Sequence, residues 1–368
     1  MDADNFFLGF DVDRSRVLDV VRAGLLAGGD ETKPIRAELY KLNVYGKDAF
    51  FKPHKDTPRG TDMFGSLVLV FPTPHEGGAL VLRHEGNEWT FDAAQILSAT
   101  AHYELKRVAY IAFFSDVEHE VLPVTSGHRV TITYNLYWAP PPSVAFPEEL
   151  SIIYPKHSNF AAVGEALAEL LADPTFLPEG GTLGFGLRHA YPFEKHWKYG
   201  MPNPLDQLRG WLKGSDAALF RALQALSLDP LPWLICQSEE FSDVAVAVDH
   251  MVSLGRTEED ECYMILRDHN GVRVVEKKAD GTLKAYEGNE LYEDYLPKGV
   301  RTVGVFWMTK FGESNSISSE YTATYGNEPT TAYVYMVVSL LVDIGPAGDR
   351  ANTKGVVGAK VMQSASQK

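Results

Sequence analysis

Cysteine is scarce in this sequence: Cys236 and Cys262 are the only two among 368 residues. Two cysteines cannot build a disulfide framework, and so low a count is typical of proteins from a reducing compartment. Both lie in stretches that have the composition of β-strands, so we expect two small buried thiols.

Long apolar runs are also missing. The longest near the end, "AYVYMVVSLLVDIG" at 332–345, is too short to cross a bilayer and predicts a buried strand. The first residues have no basic start followed by an apolar run, so no secretory signal is predicted. We therefore expect an intracellular protein, cytoplasmic or nuclear, without a membrane partner.

Positive charge is in deficit as well. The chain has 34 Lys and Arg against 49 Asp and Glu, which gives a net charge of −15. Nucleic-acid binding depends largely on clustered Lys and Arg, so this balance argues against DNA or RNA as a partner. A small molecule, a peptide or a protein is the more compatible partner, and the composition leaves the oligomeric state open.

What the sequence does contain is enough apolar material for one large or two ordinary domains, at 45% hydrophobic residues. Helical spacing over 12–27 is followed, from residue 35, by short β-rich runs between turn-forming residues. The predicted strands are "IRAELYKLNVY", "DAFFKPH", "GSLVLVF", "GALVLRH", "NEWTFD", "VAYIAFFSD", "EHEVLPV" and "HRVTITYNLYW". So many short strands favour an antiparallel sandwich or jelly roll.

A proline-rich stretch, "APPPSVAFPEE", marks a boundary and predicts a connection over 139–150. Beyond it we expect an α+β region over 151–345 that packs on the preceding β-rich domain, and a flexible tail over 346–368. Helices are predicted near 158–173 and 215–227, the second capped by Ser215-Asp216. Strands are predicted at 231–237, 261–267, 272–277, 299–309 and 332–344, with a hairpin turn at "DHNG" (268–271).

The stretch "FFKPHKDTPR" holds the first candidate for chemistry. Residues two apart on a strand project from one face, so His54 and Asp56 would point to the same side, as two ligands of one metal must. Two His and one carboxylate form the facial triad of non-haem Fe(II) oxygenases, which leaves coordination positions open. A His and an acid two apart also occur by chance, and His102 with Glu104 in "HYE" is a second such pair.

A third ligand is available in "FFSDVEHEVLPVTSGHRVTITYNLY". His119 precedes an apparent turn at Ser126-Gly127, after which Arg129 and Thr131 share one face of the returning strand. We therefore expect His119 and Arg129 on two strands of one hairpin. A guanidinium on an otherwise neutral inward face needs an anionic partner, and its planar fork suits a carboxylate.

These motifs together resemble the Fe(II)- and 2-oxoglutarate-dependent oxygenases, in the branch similar to prolyl 4-hydroxylases. The resemblance covers about 38–138 and rests on "VYGKDAFFKPHKD", "HEGGALVL" and "SDVEHEVLPVTSGHRVTITYNL". In its two-part organisation the chain is similar to a fungal type of protein. Prolyl hydroxylases usually carry Lys where this chain has Arg129, which weakens the prediction that the target is proline.

The resemblance implies a fold and a site. The fold is mainly β (α+β), with a double-stranded β-helix over 36–138 in a domain spanning 1–138. Fe(II) would be held by His54, Asp56 and His119. The co-substrate 2-oxoglutarate would be bound by Arg129, with Tyr45 and Thr131 assisting. O2 is the second co-substrate and ascorbate an optional reductant.

The implied reaction is hydroxylation of an unactivated C–H bond in an amino acid, a peptidyl side chain or a small metabolite, with release of succinate and CO2. The alternative is a non-catalytic interaction protein that retains the metal-binding barrel. Fe(II)- and 2-oxoglutarate-dependent succinate release distinguishes the two.

Overall fold

The structure, a computed structural model, describes residues 1–6, 8–26, 33–99, 107–140, 159–194, 201–237, 245–252, 261–284, 299–311 and 333–353. Its contacts divide into two compact units. Of the described residues, the first unit holds 1–140, and the second holds 159–311 and 334–353. Apart from its first two residues, the proline-rich connection predicted over 139–150 lies outside the described residues.

The first unit is mainly β. Its described elements are a 3₁₀ turn (Ala3–Asn5), α1 (Val17–Leu25), β1 (Ile35–Tyr45), β2 (Phe51–His54), β3 (Met63–Val70), β4 (His75–Gly77), β5 (Leu80–His84), β6 (Asn87–Phe91), α2 (Ala93–Ala99), β7 (Ala109–Phe114), β8 (Glu118–Val121), β9 (Val124–Gly127) and β10 (Arg129–Trp138). All eight predicted strands are confirmed. The short pair β4 and β9 and the helix α2 were not predicted.

Two four-stranded antiparallel sheets form this unit. One has the order β1-β10-β3-β7 and the other β2-β8-β5-β6, while β4 and β9 pair separately. Apart from the β5–β6 hairpin and the separate pair β4 and β9, strands that follow one another in sequence lie in different sheets. β3 is buried along its whole length because it lies inside its sheet, between β10 and β7.

The link between β5 and β6 shows how local chemistry fixes a register. Glu85 and Gly86 both have positive φ, at 49° and 73°, as a two-residue type I′ turn requires. His84 therefore pairs with Asn87 across the turn, and the whole hairpin follows in register.

The second unit contains a closed six-stranded barrel, with the strand order β11-β15-β14-β13-β12-β16. Its described elements are α3 (Asn159–Ala172), β11 (Gly181–Glu194), α4 (Pro204–Leu208), α5 (Gly214–Ala225), β12 (Leu231–Gln237), β13 (Ala245–Val248), α6 (Glu261–Asp268), β14 (Val272–Glu276), β15 (Thr302–Thr309) and β16 (Tyr333–Ile344). The barrel mixes parallel pairs, such as β11 with β15, and antiparallel pairs, such as β12 with β13.

Three expectations for the second unit are wrong. The strand predicted at 261–267 is helix α6, so Cys262 is helical, although it is buried as expected, like Cys236. A short apolar run does not distinguish a buried strand from a buried helix. The hairpin turn predicted at 268–271 instead links α6 to β14, with Asn270 at a φ of 50°.

The third wrong expectation is the helix cap predicted at Ser215-Asp216. α5 begins at Gly214, and its N-cap residue Lys213 makes no side-chain capping bond. Asp216 is buried and accepts hydrogen bonds from the backbone N–H groups of Arg188 and His189 and from the Tyr191 hydroxyl. Its carboxylate thus ties α5 to β11, a contact that no local pattern reveals.

Within the tail predicted from residue 346, Arg350 is bonded to the second unit. Its guanidinium donates to five backbone carbonyls, those of Leu171, Asp173, Phe176, Leu177 and Gly345. These include carbonyls at the end of α3, where helix oxygens lack internal partners. Residues from 354 lie outside the described part of the chain. Among the described residues, no helix has the length and apolar character that crossing a bilayer requires.

Candidate metal centre

His54 and His119 lie side by side on neighbouring strands. They are directly paired residues of β2 and β8, and their ring centroids are 4.2 Å apart. Such a pair projects to one face of the sheet. The two rings predicted to bind one metal are therefore adjacent, although 65 positions separate them in the sequence.

Asp56 completes the cluster from just beyond the end of β2. One ligand atom from each of His54, Asp56 and His119 lies within 4.8 Å of the other two. The Oδ1 atom of Asp56 lies 3.7 Å from Nε2 of His119, while its Oδ2 atom accepts a hydrogen bond of 2.7 Å from the Ser66 hydroxyl. One carboxylate oxygen is thus engaged, and the other faces the imidazoles.

Both imidazoles are oriented through Nδ1. This atom lies 2.8 Å from the Lys52 carbonyl in His54 and 3.1 Å from the Val117 carbonyl in His119. A carbonyl only accepts, so each Nδ1 carries the proton and each Nε2 keeps its lone pair for a metal. Burial, and then the proximity of His119, lowers the pKa of His54, which favours the neutral, metal-binding form. These donors fit a divalent metal of the Fe(II) type.

Arg129 is the most unusual side chain near this cluster. It is 2% exposed, and its Nε has no hydrogen-bond partner among the described residues. Its guanidinium lies 5.4 Å from the centroid of the Tyr45 ring. Burial lowers the pKa of the Arg129 guanidinium below its usual value because the charge is removed from water. A buried guanidinium with an unpaired Nε has the chemistry to bind an anion.

The expected hairpin joining His119 to Arg129 is wrong. His119 lies on β8 and Arg129 on β10, and these strands belong to different sheets, with β9 between them in sequence. The two residues still line one cavity, because the two sheets face each other across it. Distance along the chain could not distinguish a hairpin from a crossing between sheets.

Tyr45 and Thr131 also line this cavity. Tyr45 of β1 pairs directly with Arg129 of β10. Two residues along the same strands, Asn43 pairs with Thr131 on the same face of the sheet. Burial raises the pKa of Tyr45, so its hydroxyl stays protonated and can donate. The structure therefore brings all six predicted site residues to one cavity.

Several cavity residues were not predicted as functional. Lys41 and Asn43 project from β1 on the face of Tyr45, and Ser66 and Val68 project from β3. Strand alternation could have predicted that Lys41 and Asn43 face the cavity, because they lie four and two residues before Tyr45 on the same strand. Ser66 interrupts the apolar strand "MFGSLVLV". The rival pair His102 and Glu104 lies outside the described residues.

Comparison with family models matches residues 40–137 to the 2OG-Fe(II) oxygenase superfamily. The match spans both sheets of the first unit and every residue of the cluster, and it supports an oxygenase domain there. No curated protein matches the chain.

Solved structures add weaker likenesses. One is an oxidoreductase of the 2OG-Fe(II) oxygenase family from Burkholderia pseudomallei, with 20% identity over 34% of this chain and 51% of that chain, at a TM-score of 0.25. Another is a Pseudomonas putida prolyl-4-hydroxylase, with 20% identity over 34% of this chain and 61% of that chain, at a TM-score of 0.22. The match therefore spans less than two thirds of either structure. The likeness to a fungal type stays a prediction.

Proposed function

We propose that the first unit is an Fe(II)- and 2-oxoglutarate-dependent dioxygenase that hydroxylates a C–H bond of an amino acid, a peptidyl side chain or a small metabolite. The observation that carries the proposal is a single cavity lined both by His54, Asp56 and His119 and by the buried Arg129. A dicarboxylate that chelates a metal at one end needs both a metal-binding cluster and a group that binds its other carboxylate. The alternation of strands between two facing sheets supports a double-stranded β-helix.

Each residue then has a defined task. The Nε2 atoms of His54 and His119 and the Oδ1 atom of Asp56 would hold Fe(II). Arg129 would bind the distal carboxylate of 2-oxoglutarate, and the Tyr45 hydroxyl would donate to the same ligand. When bound, the iron and 2-oxoglutarate would supply the oxidation of a C–H bond by O2, with the co-substrate converted to succinate and CO2.

The remaining cavity wall would orient ligands and exclude water. Phe51 and Phe113 contact the two imidazoles, with ring centroids 4.3 Å from His54 and 4.7 Å from His119, respectively. Leu80 and Val121 line the same cavity. An apolar wall strengthens the charged contacts made inside it, because it lowers the local dielectric constant.

The test is an anaerobic titration with Fe(II) and 2-oxoglutarate, followed by admission of O2 and measurement of succinate. We expect one equivalent of each ligand to bind, and succinate to form only with both present. The variants His54→Ala and Asp56→Ala should lose metal binding and succinate formation. His128→Ala, which removes an exposed imidazole next to Arg129 in sequence, is the matched control and should retain both.

Two results would contradict the proposal. Succinate formation unchanged in His54→Ala or Asp56→Ala would show that the metal assignment is wrong. Binding of Fe(II) and 2-oxoglutarate without any succinate, even with prolonged exposure to O2, would favour a non-catalytic interaction protein.

A further inference from the structure

The cavity wall contains a second cation that the proposed chemistry does not use. Lys41 and Asn43 project from β1 into the cavity lined by the histidines, on the face of Tyr45. Both side chains are partly exposed, so they lie where the cavity meets solvent. A cation at such a place is available to a ligand that arrives from outside.

Strand register separates Lys41 from the anion site at Arg129. Tyr45 pairs with Arg129, whereas Lys41 pairs with Thr133, which in turn pairs with Val68 of β3. Four residues of extended chain span about 13 Å. Lys41 therefore lies well along the cavity wall from Arg129.

Along the strands, Lys41 lies on the Ser66 side of Arg129. The next inward position on β3 after Val68 is Ser66, whose hydroxyl binds Asp56. The cross-strand row of Lys41, Thr133 and Val68 is thus next to the row of Ser66, although two strand spacings separate Lys41 from Ser66 across the sheet. Lys41 and the His54, Asp56 and His119 cluster line one cavity, so a substrate held by Lys41 can extend along the cavity to the metal.

The charge of Lys41 is only weakly compensated. Its Nζ lies 3.8 Å from Oδ1 of Asp2, whose side chain is 71% exposed, and 5.4 Å from the centroid of the Tyr40 ring. Exposed contacts of these kinds contribute little. The side-chain amide of Asn43 has no hydrogen bond to another described residue, so its donors and its acceptor are available. An ammonium and an amide two residues apart on one strand face form a small anion-binding pair.

We propose that Lys41 and Asn43 bind a carboxylate of the primary substrate and so restrict it to carboxylic acids, such as amino acids. The inference rests on the proposed function, and it narrows the substrate class. The carboxylate could be the α-carboxylate of a free amino acid or one on an acidic side chain. Either carboxylate would present the same group to Lys41, and amino acids compared with their α-carboxamides distinguish the two.

The test measures binding in the absence of turnover. The anaerobic complex with Fe(II) and 2-oxoglutarate is titrated calorimetrically with the twenty L-amino acids and with their α-carboxamides. We expect one or more of the acids to bind, and neutral amides to bind at least tenfold more weakly. If the α-amides of Asp and Glu still bind, the carboxylate recognised is on the side chain, and otherwise it is the α-carboxylate.

Three variants assign the effect to Lys41. Lys41→Met should weaken binding of the acid about tenfold or more, because it removes a charge-assisted hydrogen bond. Lys41→Arg should restore most of the affinity. Lys47→Met removes an exposed positive charge just beyond the end of β1, outside the cavity, and should leave the affinity unchanged. In all three variants, binding of 2-oxoglutarate should stay within about twofold of the wild-type value.

Four results would overturn the inference. Amides that bind as tightly as acids would show that no carboxylate is recognised. A Lys41→Met variant that loses 2-oxoglutarate affinity along with acid affinity would assign Lys41 to the co-substrate. Intact 2-oxoglutarate binding without binding of any acid would reject the inference alone. A wild-type protein that binds no 2-oxoglutarate would reject the proposed function, and the inference with it.

Discussion

The Ser66 hydroxyl lies 2.7 Å from Oδ2 of Asp56 and links the central strand β3 to the metal-binding cluster. Ser66 is 1% exposed, so water does not compete for this bond. Because one carboxylate oxygen is engaged, the other is left to face the imidazoles. Groups that orient a ligand in this way commonly contribute one to two orders of magnitude to metal affinity.

Ser66→Ala should therefore lower Fe(II) affinity about 10- to 100-fold, measured by anaerobic titration. Ser115→Ala is the matched control. Ser115 is also buried, but its hydroxyl has no hydrogen-bond partner among the described residues, so its loss should leave metal affinity unchanged. Equal effects of the two substitutions would mean that Ser66 contributes only to packing.

Arg129→Met should change ligand affinity and stability in opposite directions. Removing the guanidinium should weaken 2-oxoglutarate binding about 100-fold or more, since a charge-assisted bidentate contact is lost. Without ligand, the free energy of unfolding should rise by about 1–3 kcal/mol, because a buried group with an unsatisfied donor is removed.

Calorimetric titration and urea unfolding measure the two effects of Arg129→Met. Arg129→Lys should lose less affinity for 2-oxoglutarate because it keeps the charge. A fall in the stability of the unliganded Arg129→Met protein would show that Arg129 is a structural residue.

Gly78→Ala should disturb Arg129 through packing. Gly78 has a φ of +69°, and a Cβ there would lie 2.9 Å from Cδ of Arg129 and 2.9 Å from Cγ2 of Val124. We expect a loss of about 2–3 kcal/mol in unfolding free energy, from backbone strain and overpacking together. The 2-oxoglutarate affinity should fall about tenfold, a loss of about 1.4 kcal/mol in binding, as Arg129 is displaced.

Gly86→Ala separates these two causes. Gly86 has a similar φ of +73°, but nothing lies within 4 Å of a Cβ placed there. Its substitution should cost about 1 kcal/mol of unfolding free energy and leave 2-oxoglutarate affinity unchanged. If both alanine variants bound 2-oxoglutarate like the wild type, the contact between Gly78 and Arg129 would not matter for binding.

Tyr45→Phe should alter the pH dependence of stability. Burial raises the pKa of Tyr45 above its unfolded value of 10.0. The stability that this hydroxyl contributes is therefore fully present below pH 10 and is lost as the pH rises through the folded pKa. Urea unfolding between pH 8 and pH 11 should show a smaller loss of stability in Tyr45→Phe than in the wild type. Identical slopes would mean that Tyr45 does not titrate with unfolding.

Arg350→Ala should destabilise the second unit. The side chain donates to five backbone carbonyls, and we expect a loss of about 2–4 kcal/mol when these oxygens lose their partner. Arg209→Ala, which breaks an exposed ion pair with Asp229, should cost less than about 0.5 kcal/mol. Urea unfolding of both variants makes the comparison, and equal effects would rule out an anchoring role for Arg350.

Much of the first unit could be predicted because its signals are local. Alternation along "HRVTITYNLYW" predicted strand β10 and assigned Arg129 and Thr131 to one face, as observed. The short strands β4 and β9 have no such alternation, and they form only by pairing with each other. In the second unit, Cys262 was assigned to the wrong element because a run of eight residues is too short to show its period.

The sequence by itself determined which side chains share a strand face, because that depends only on a two-residue repeat. That repeat placed Arg129 and Thr131 on one face of β10, and the resemblance of the motifs then made His54, Asp56, His119 and Arg129 the candidate site. The tertiary structure alone decided that His119 and Arg129 belong to opposite sheets, that Ser66 holds Asp56, and that Lys41 lines the same cavity as His54 and His119. Register and sheet order depend on contacts between distant segments, and no local repeat encodes them.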